Sequence, residues 1–313
     1  MIFLALLLGA LGALDPADSV WVTEAPLFSA GSRGSFDETA VKDPSIVFHG
    51  GLWHVFYTAR GQGKYSLGYV AAPTLNGLQQ AKRHPLPQLR GMNSAYAAAP
   101  QIFFFAPQQQ WYLVFQTRDA KYQPVYATTK DIGDPGSWSV PKSLVEKQEG
   151  EKWIDFWVIR DEARVYLFYT RSHEKVYRQS TAVKDFPRGF GQAREVFGPV
   201  HEAVHIYKAQ GKQAYHLFYE IAKDKGQRSH GLATATSLDG AWRKVREDYA
   251  TGSQFTSDWT DEVSHGEMLR TGIDARMEYD SERPQFFFQG ILSKNHHGDY
   301  AELGWRLGLL TRP

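Results

Sequence analysis

Four acidic residues stand at corresponding places along the chain, each just ahead of an apolar, strand-like run. They are Asp43 in Lys42-Asp43-Pro44-Ser45-Ile46, Asp155 in Trp153-Ile154-Asp155-Phe156-Trp157, Glu202 in His201-Glu202-Ala203-Val204 and Glu267 in His265-Gly266-Glu267-Met268. A fifth run of the same kind begins Ala99-Pro100-Gln101-Ile102, so four of five such positions are acidic. Asp43 precedes Phe56, and Asp155 precedes Phe168, by the same 13 residues. Carboxylates gathered around one point repel each other and lose water, which raises some pKa values and leaves others ionised. A protonated acid facing an ionised carboxylate is what cleavage of a glycosidic bond needs: one gives a proton to the leaving oxygen while the other activates water or attacks. Taken singly, an Asp before Pro is a turn former and a Glu at a strand start a solvated edge; as a set they read as a site. A calcium cage that draws on His265 is the second reading, although no compact ligand spacing accompanies it. GxSxG, HExxH and Walker patterns are absent. The pair His296-His297 beside Gly298 reads as an exposed loop.

The elements that must carry these acids recur. Five aromatic strands appear, Leu52–Thr58, Trp111–Gln116, Val165–Thr170, Tyr215–Glu220 and Pro284–Gly290. With Phe56, Phe115, Phe168, Phe218 and Phe288 taken as equivalent, the intervals are 59, 53, 50 and 70 residues, the period of a four-stranded blade. Before each lies another apolar strand across a Gly, Pro or charged turn. Such hairpins cannot bury both faces alone, and radial stacking gives them a continuous core with few exposed edges. The expected fold is all-β, a five-bladed β-propeller whose inner strands line the axis and whose C-terminal Leu307–Thr311 closes the ring with N-terminal sequence. A β-sandwich shares the short strands and turns but not the long repeat. Trp138, Trp242 and Trp259 read as blade packing rather than sugar platforms.

Composition narrows the partners. The chain has 313 residues, 35 basic against 34 acidic, for a net charge of +1. No concentrated positive charge marks it for nucleic acid or an anionic membrane. With no cysteine, disulfides, thiolate metal sites and a cysteine nucleophile are excluded. Residues 1–14 are an apolar run too short to span a bilayer, read as a signal peptide of an exported protein. Residues 15–313 are then one catalytic propeller, expected to be monomeric.

Together these residues resemble glycoside hydrolase family 62, arabinofuranosidases whose five-bladed propeller is shared with family 43. The likeness runs from about Val41 to Thr311. It is carried by Lys42-Asp43-Pro44-Ser45, Ala98–Pro107, Trp111–Gln116, Trp153–Ile159, Glu202-Ala203, Ser264–Met268, Phe288-Gln289-Gly290, Gly298-Asp299-Tyr300 and Trp305–Thr311. The resemblance implies an inverting, extracellular α-L-arabinofuranosidase that frees arabinofuranosyl side groups from arabinoxylan of the plant cell wall. It implies Asp43 as the general base, Glu202 as the general acid and Asp155 as the carboxylate that orients substrate and tunes the acid. Inversion would hold acid and base about 6.5–9.5 Å apart, with water between. Lys42 and Gln289 would hydrogen-bond the furanose, Tyr300 would border the pocket, and His265 would sit near a central-channel ion, often calcium; the chemistry itself would need no cofactor.

Two departures bear on the polymer. The family commonly reads Asp-Tyr-Asn where this chain reads Asp299-Tyr300-Ala301, so an amide is lost, and Thr117–Val125 differs from the shorter family loop. The rival readings are a family-43-like exo-glycosidase acting on arabinan or xylosides, and a carbohydrate-binding propeller without turnover.

Overall fold

Aromatic and β-branched residues suit pleated, half-buried surfaces, and among the described residues they make twenty strands in five sheets. The computed structural model describes residues 20–223 and 227–312; the apolar run 1–14, expected to be a signal peptide, lies outside the described residues. Blade 1 is β1 (Ala40–His49), β2 (Leu52–Gly61), β3 (Lys64–Ala72) and β4 (His84–Pro85). Its first hairpin turns on Gly50-Gly51, both at positive φ (57° and 81°), the conformation a two-residue turn demands and glycine adopts without strain. Blade 2 is β5 (Ala98–Phe105), β6 (Gln110–Gln116), β7 (Val125–Thr129) and β8 (Lys142–Ser143). Blade 3 is β9 (Trp153–Arg160), β10 (Arg164–Arg171), β11 (Lys175–Ala182) and β12 (Arg194–Phe197). Blade 4 is β13 (Glu202–Ala209), β14 (Tyr215–Ala222), β15 (Arg228–Ala235) and β16 (Arg243–Ala250).

The last blade begins with β17 (Gly266–Met268); β18 (Glu278–Tyr279) then leaves it and pairs parallel with β13, and β19 (Gln285–Gly290) and β20 (Arg306–Thr311) complete it. The N-terminal segment supplies its outer edge. Val22 and Thr311 exchange backbone hydrogen bonds of 2.9 Å, and Leu27 and Phe28 pair with Leu307. This closes the five-bladed ring as the sequence led us to expect. Radial closure leaves each sheet with only short outer edges.

Between blades the middle strands supply the core. Phe56, Phe168 and Phe218 are buried, as are Tyr57, Tyr169 and Tyr219 on the opposite faces of the same strands. Each contributes about 1.5–3 kcal/mol by burial. Trp138 meets Phe56 edge to face, Trp242 meets Phe168 likewise, and Trp259 lies against Phe288, so all three tryptophans pack blades as expected.

The repeat needs one correction. Phe56, Phe168 and Phe218 lie opposite Ser45, Trp157 and His205, but the counterpart in blade 2 is Val114, opposite Gln101, and in blade 5 it is Phe287, opposite Glu267. Phe115 and Phe288 are one residue further on. A middle strand buried on both faces is apolar at every position, so its sequence does not mark which residues share a face.

Candidate active site

The inner strands break register at one shared place. One extra residue is inserted between Lys42 and Ser45, between Ala98 and Gln101, between Ile154 and Trp157, and between Glu202 and His205. At each bulge one non-glycine residue takes positive φ: Asp43 (45°), Ala99 (47°), Asp155 (53°) and Ala203 (50°). Such backbone costs about 1–3 kcal/mol and persists only where its surroundings hold it. A ring of hydrogen bonds does so. The Asp43 amide donates to Gln289 Oε1 (2.7 Å), Ala99 to Thr58 Oγ1 (2.8 Å), Asp155 to Gln116 Oε1 (3.1 Å), Ala203 to Asp155 Oδ2 (2.8 Å) and His265 to Glu220 Oε2 (3.1 Å). Each bond ties one blade to the one before it.

This geometry corrects the four-acid alignment. Asp43 and Asp155 are true counterparts, but Glu202 pairs with Glu220 as Lys42 pairs with Thr58, one residue ahead of the bulge. Glu267 lies two places deeper, in register with Ser45 and Gln101. It is wholly buried, accepts from Ser45 Oγ (2.6 Å) and the Ile46 amide (2.9 Å), and pairs with Arg270 at 2.8 Å. Arg270 in turn donates to the carbonyls of Ile46 and Ile102, so this pair locks blades 5, 1 and 2 together.

Asp43, Asp155 and Glu202 converge at one mouth of the axis with His265 between two of them: its Nδ1 is 3.7 Å from Asp43 Oδ1 and 3.7 Å from Asp155 Oδ2. Burial lowers the His265 pKa and leaves the ring neutral. Asp155, 5% exposed, has its carboxyl pushed well up by burial, then by the neighbouring charges of Glu202 and Asp43. Glu202 goes the other way. Burial raises it, but the His173 hydrogen bond and the charges of His201, His173 and Arg228 outweigh that and hold it at about 2. His173 Nδ1 is 3.2 Å from Glu202 Oε2, and His201 Nε2 is 3.8 Å from Oε1. The Glu202 bond raises His173 above its ordinary value. Opposite shifts in adjacent carboxyls are the mark of divided acid and base roles.

The remaining expected residues surround this group. Lys42 is buried with its Nζ 4.2 Å from the Tyr300 ring centre and 5.4 Å from that of Tyr65. Tyr300 is 37% exposed, and burial with the charges of Glu202, Asp43 and Glu220 pushes its pKa well up. The short turn Tyr300–Glu302 is capped by Asp299 and clamped by Arg60, which donates to the Ala301 carbonyl (2.9 Å) and pairs with Glu302 (2.6 Å). Gln289 is 1% exposed; its oxygen is taken by Asp43 and its nitrogen donates to Ser264 Oγ at 3.0 Å. It therefore fixes Asp43 first, with one N–H left over. The loop Thr117–Val125 is tied down by Asp119, which accepts from the Met92 and Asn93 amides, and it holds Arg118 4.4 Å over the Tyr96 ring. A groove of about 400 Å³ lined by Tyr65, Tyr96 and Arg118 runs along this side.

Sequence reasoning did not find Glu220, His173 or His201. Glu220 was within reach, since it occupies the repeat position of Thr58, Gln116 and Gln289. It is wholly buried, its carboxyl is pushed up by burial and by Glu202, and it pairs with Arg228 at 3.2 Å. His173 sits in the hairpin turn between β10 and β11, where nothing local signals a site. Among the described residues, the one set of three His, Asp or Glu donor atoms within 4.8 Å of one another is His173, His201 and Glu202; His265, Asp43 and Asp155 do not form such a set.

Fold and site together define a five-bladed propeller with an axial carboxylate centre of the kind that works on neutral carbohydrate. The chain belongs to glycosyl hydrolase family 62, whose family model matches residues 17–311. It is 32% identical over 309 residues to alpha-L-arabinofuranosidase C of Cellvibrio japonicus, an alignment that takes in 93% of this chain and 46% of that protein, so the chain spans about half the length of this curated relative. The catalytic domain of a Coprinopsis cinerea family-62 alpha-L-arabinofuranosidase superposes with TM-score 0.87 at 31% identity, covering 94% of this chain and 97% of that one. A family-62 hydrolase in complex with xylotriose does so with TM-score 0.86 at 28% identity, covering 94% and 98%. Family-43 glycoside hydrolases share the fold alone. Among the described residues no helix is long and apolar enough to cross a membrane.

Proposed function

We propose that this protein is an inverting α-L-arabinofuranosidase that removes arabinofuranosyl side groups from arabinoxylan, with Asp43 as general base, Glu202 as general acid and Asp155 orienting the sugar. The observation that carries this is the convergence of Asp43, Asp155 and Glu202 at one mouth of the axis, with His265 Nδ1 3.7 Å from both aspartates and Asp155 bonded to the Ala203 amide beside Glu202. The named activity of the Cellvibrio japonicus relative and the xylotriose in a family-62 structure support the polymer.

In the sugar-free site Glu202 is ionised and the proton waits 3.2 Å away on His173. A furanose entering the mouth strips the remaining water from Glu202. Desolvation favours the neutral carboxyl, so the proton passes from His173 Nδ1 to Glu202 Oε2 and from there to the leaving xylan oxygen. Asp43 takes a proton from water as that water attacks the anomeric carbon from the opposite face. Lys42, Tyr300 and the spare N–H of Gln289 hold the furanose hydroxyls. A calcium ion on the axis would take His265 as its protein ligand, with water filling the rest of the six to eight positions of its shell. Its positive charge would offset the repulsion between the neighbouring carboxylates. All five blades come from this chain, so a monomer suffices, and the apolar run 1–14 is consistent with export to a cell-wall substrate.

Glu202→Gln tests the assignment. It keeps shape but removes the transferable proton, so kcat on wheat arabinoxylan falls by about 10²–10⁴ while KM stays nearly level. Debranched arabinan, assayed alongside, should release little arabinose. Equal release from it would favour the family-43-like specificity instead.

A further inference from the structure

We propose that His173, His201 and Glu202 form a chelating site for a zinc-class divalent cation, and that filling it takes Glu202 away from the leaving oxygen. The second half rests on the reading of Glu202 as the acid.

Two imidazoles and one carboxylate are a borderline nitrogen and oxygen donor set, suited to zinc and its transition-metal neighbours and poorly suited to calcium or magnesium. Ligand atoms bound to tetrahedral zinc at 2.0–2.1 Å lie about 3.3 Å apart. Here His173 Nδ1 lies 3.2 Å from Glu202 Oε2 and His201 Nε2 lies 3.8 Å from Glu202 Oε1, and one donor atom from each of the three residues lies within 4.8 Å of the others, so side-chain rotation on the order of 1 Å would gather them on one ion. The two rings lie near parallel with centres 4.9 Å apart.

Their backbones are fixed from two blades. His173 takes φ 56° in the turn closed by the Glu174 amide on the Arg171 carbonyl (3.1 Å). The His201 amide donates to the Glu220 carbonyl at 2.8 Å. A way in exists: the side chains of His173 and His201 are 45% and 24% exposed, and both line a cleft of about 310 Å³ with Tyr219 and Glu247. Three protein donors leave a fourth position open to water, and a bound ion replaces the hydrogen bond through which His173 hands its proton to Glu202.

The test uses the full chain after dialysis against a chelator. Zinc chloride is titrated calorimetrically and the same concentrations are added to a wheat arabinoxylan assay, whose xylan leaving oxygen must be protonated, with calcium and magnesium chloride alongside. One zinc per chain should bind, the rate should fall as it binds, and calcium and magnesium should leave the rate unchanged. His173→Gln and His201→Gln should each weaken zinc by about tenfold or more, with inhibition, relative to each variant's own zinc-free rate, moving in step. Cobalt(II) chloride added to the wild type should give the visible absorption of a tetrahedral site, abolished by zinc, a readout that needs no variant. No zinc binding, or binding unaffected in both variants with no cobalt spectrum, would overturn the site. Histidine-dependent binding with an unchanged rate would leave the site standing and overturn Glu202 as the acid.

Discussion

Nδ1 of His173, in the hairpin turn of blade 3, lies 3.2 Å from Oε2 of Glu202 at the head of blade 4. In the proposed mechanism the two act together: the hydrogen bond from His173 helps hold the Glu202 carboxyl at about 2, and the same bond raises the imidazole above its ordinary value, so that His173 would carry the proton Glu202 delivers.

The pair sets the basic limb of the pH profile. His173 is cationic below its raised pKa, so proton delivery continues past pH 6.5 and falls away as pH rises through that value. In His173→Gln the carboxyl must hold its own proton, the limb moves to lower pH, and kcat at pH 7 drops by about 10- to 100-fold. A kcat profile that keeps its basic limb in this variant would show that His173 only fills space.

Asp43 combines chemistry with strain. Asn tolerates the φ of 45° as Asp does, so Asp43→Asn should fold with an unchanged melting temperature and lose about 10²–10⁴ in kcat. Asp43→Ala should lose the same activity and also melt lower, by about 1 kcal/mol or more of stability. Thermal melts and rates of the two variants check this; equal stability of the two would refute strain at the bulge.

Much of this was legible beforehand. The recurring aromatic strands gave the blades, the matched spacing of Asp43 and Asp155 marked two axial carboxylates, and Leu307–Thr311 closes the ring as read. Register was hidden where both faces of a strand are apolar, which is why Phe115 and Phe288 stood in for Val114 and Phe287. Glu202 stands one residue ahead of the shared bulge, at the position of Lys42, and no single strand announces a bulge that only its partner reveals. Glu267 looked like the other acids because a buried ion pair with Arg270 leaves no local trace. His173 reaches Glu202 only through the docking of two blades.

Buried histidines should make the fold acid-sensitive. Burial lowers His216 to about 4 and His230 to about 3 from 6.5, so above pH 6.5 neither folded nor unfolded chain protonates them. Below it the unfolded chain takes up protons first, and stability falls by roughly 1.4 kcal/mol per pH unit for each until the folded pKa is reached. Buried carboxyls with raised pKa values, Glu220 and Glu267 among them, oppose this. The difference between wild type and His216→Gln isolates one histidine. Between pH 6 and pH 5, urea unfolding of the variant should lose about 1.4 kcal/mol less than wild type; identical losses would contradict a neutral buried His216.

The central claim is that Asp43 and Glu202 act on opposite faces of an arabinofuranosyl group. Proton NMR of the first arabinose released from wheat arabinoxylan tests it most directly. The account predicts that the β-anomer appears first from the α-linked side groups and only later equilibrates with the α-anomer. An initial α-anomer would contradict inversion, and no free arabinose would contradict the assignment as a whole.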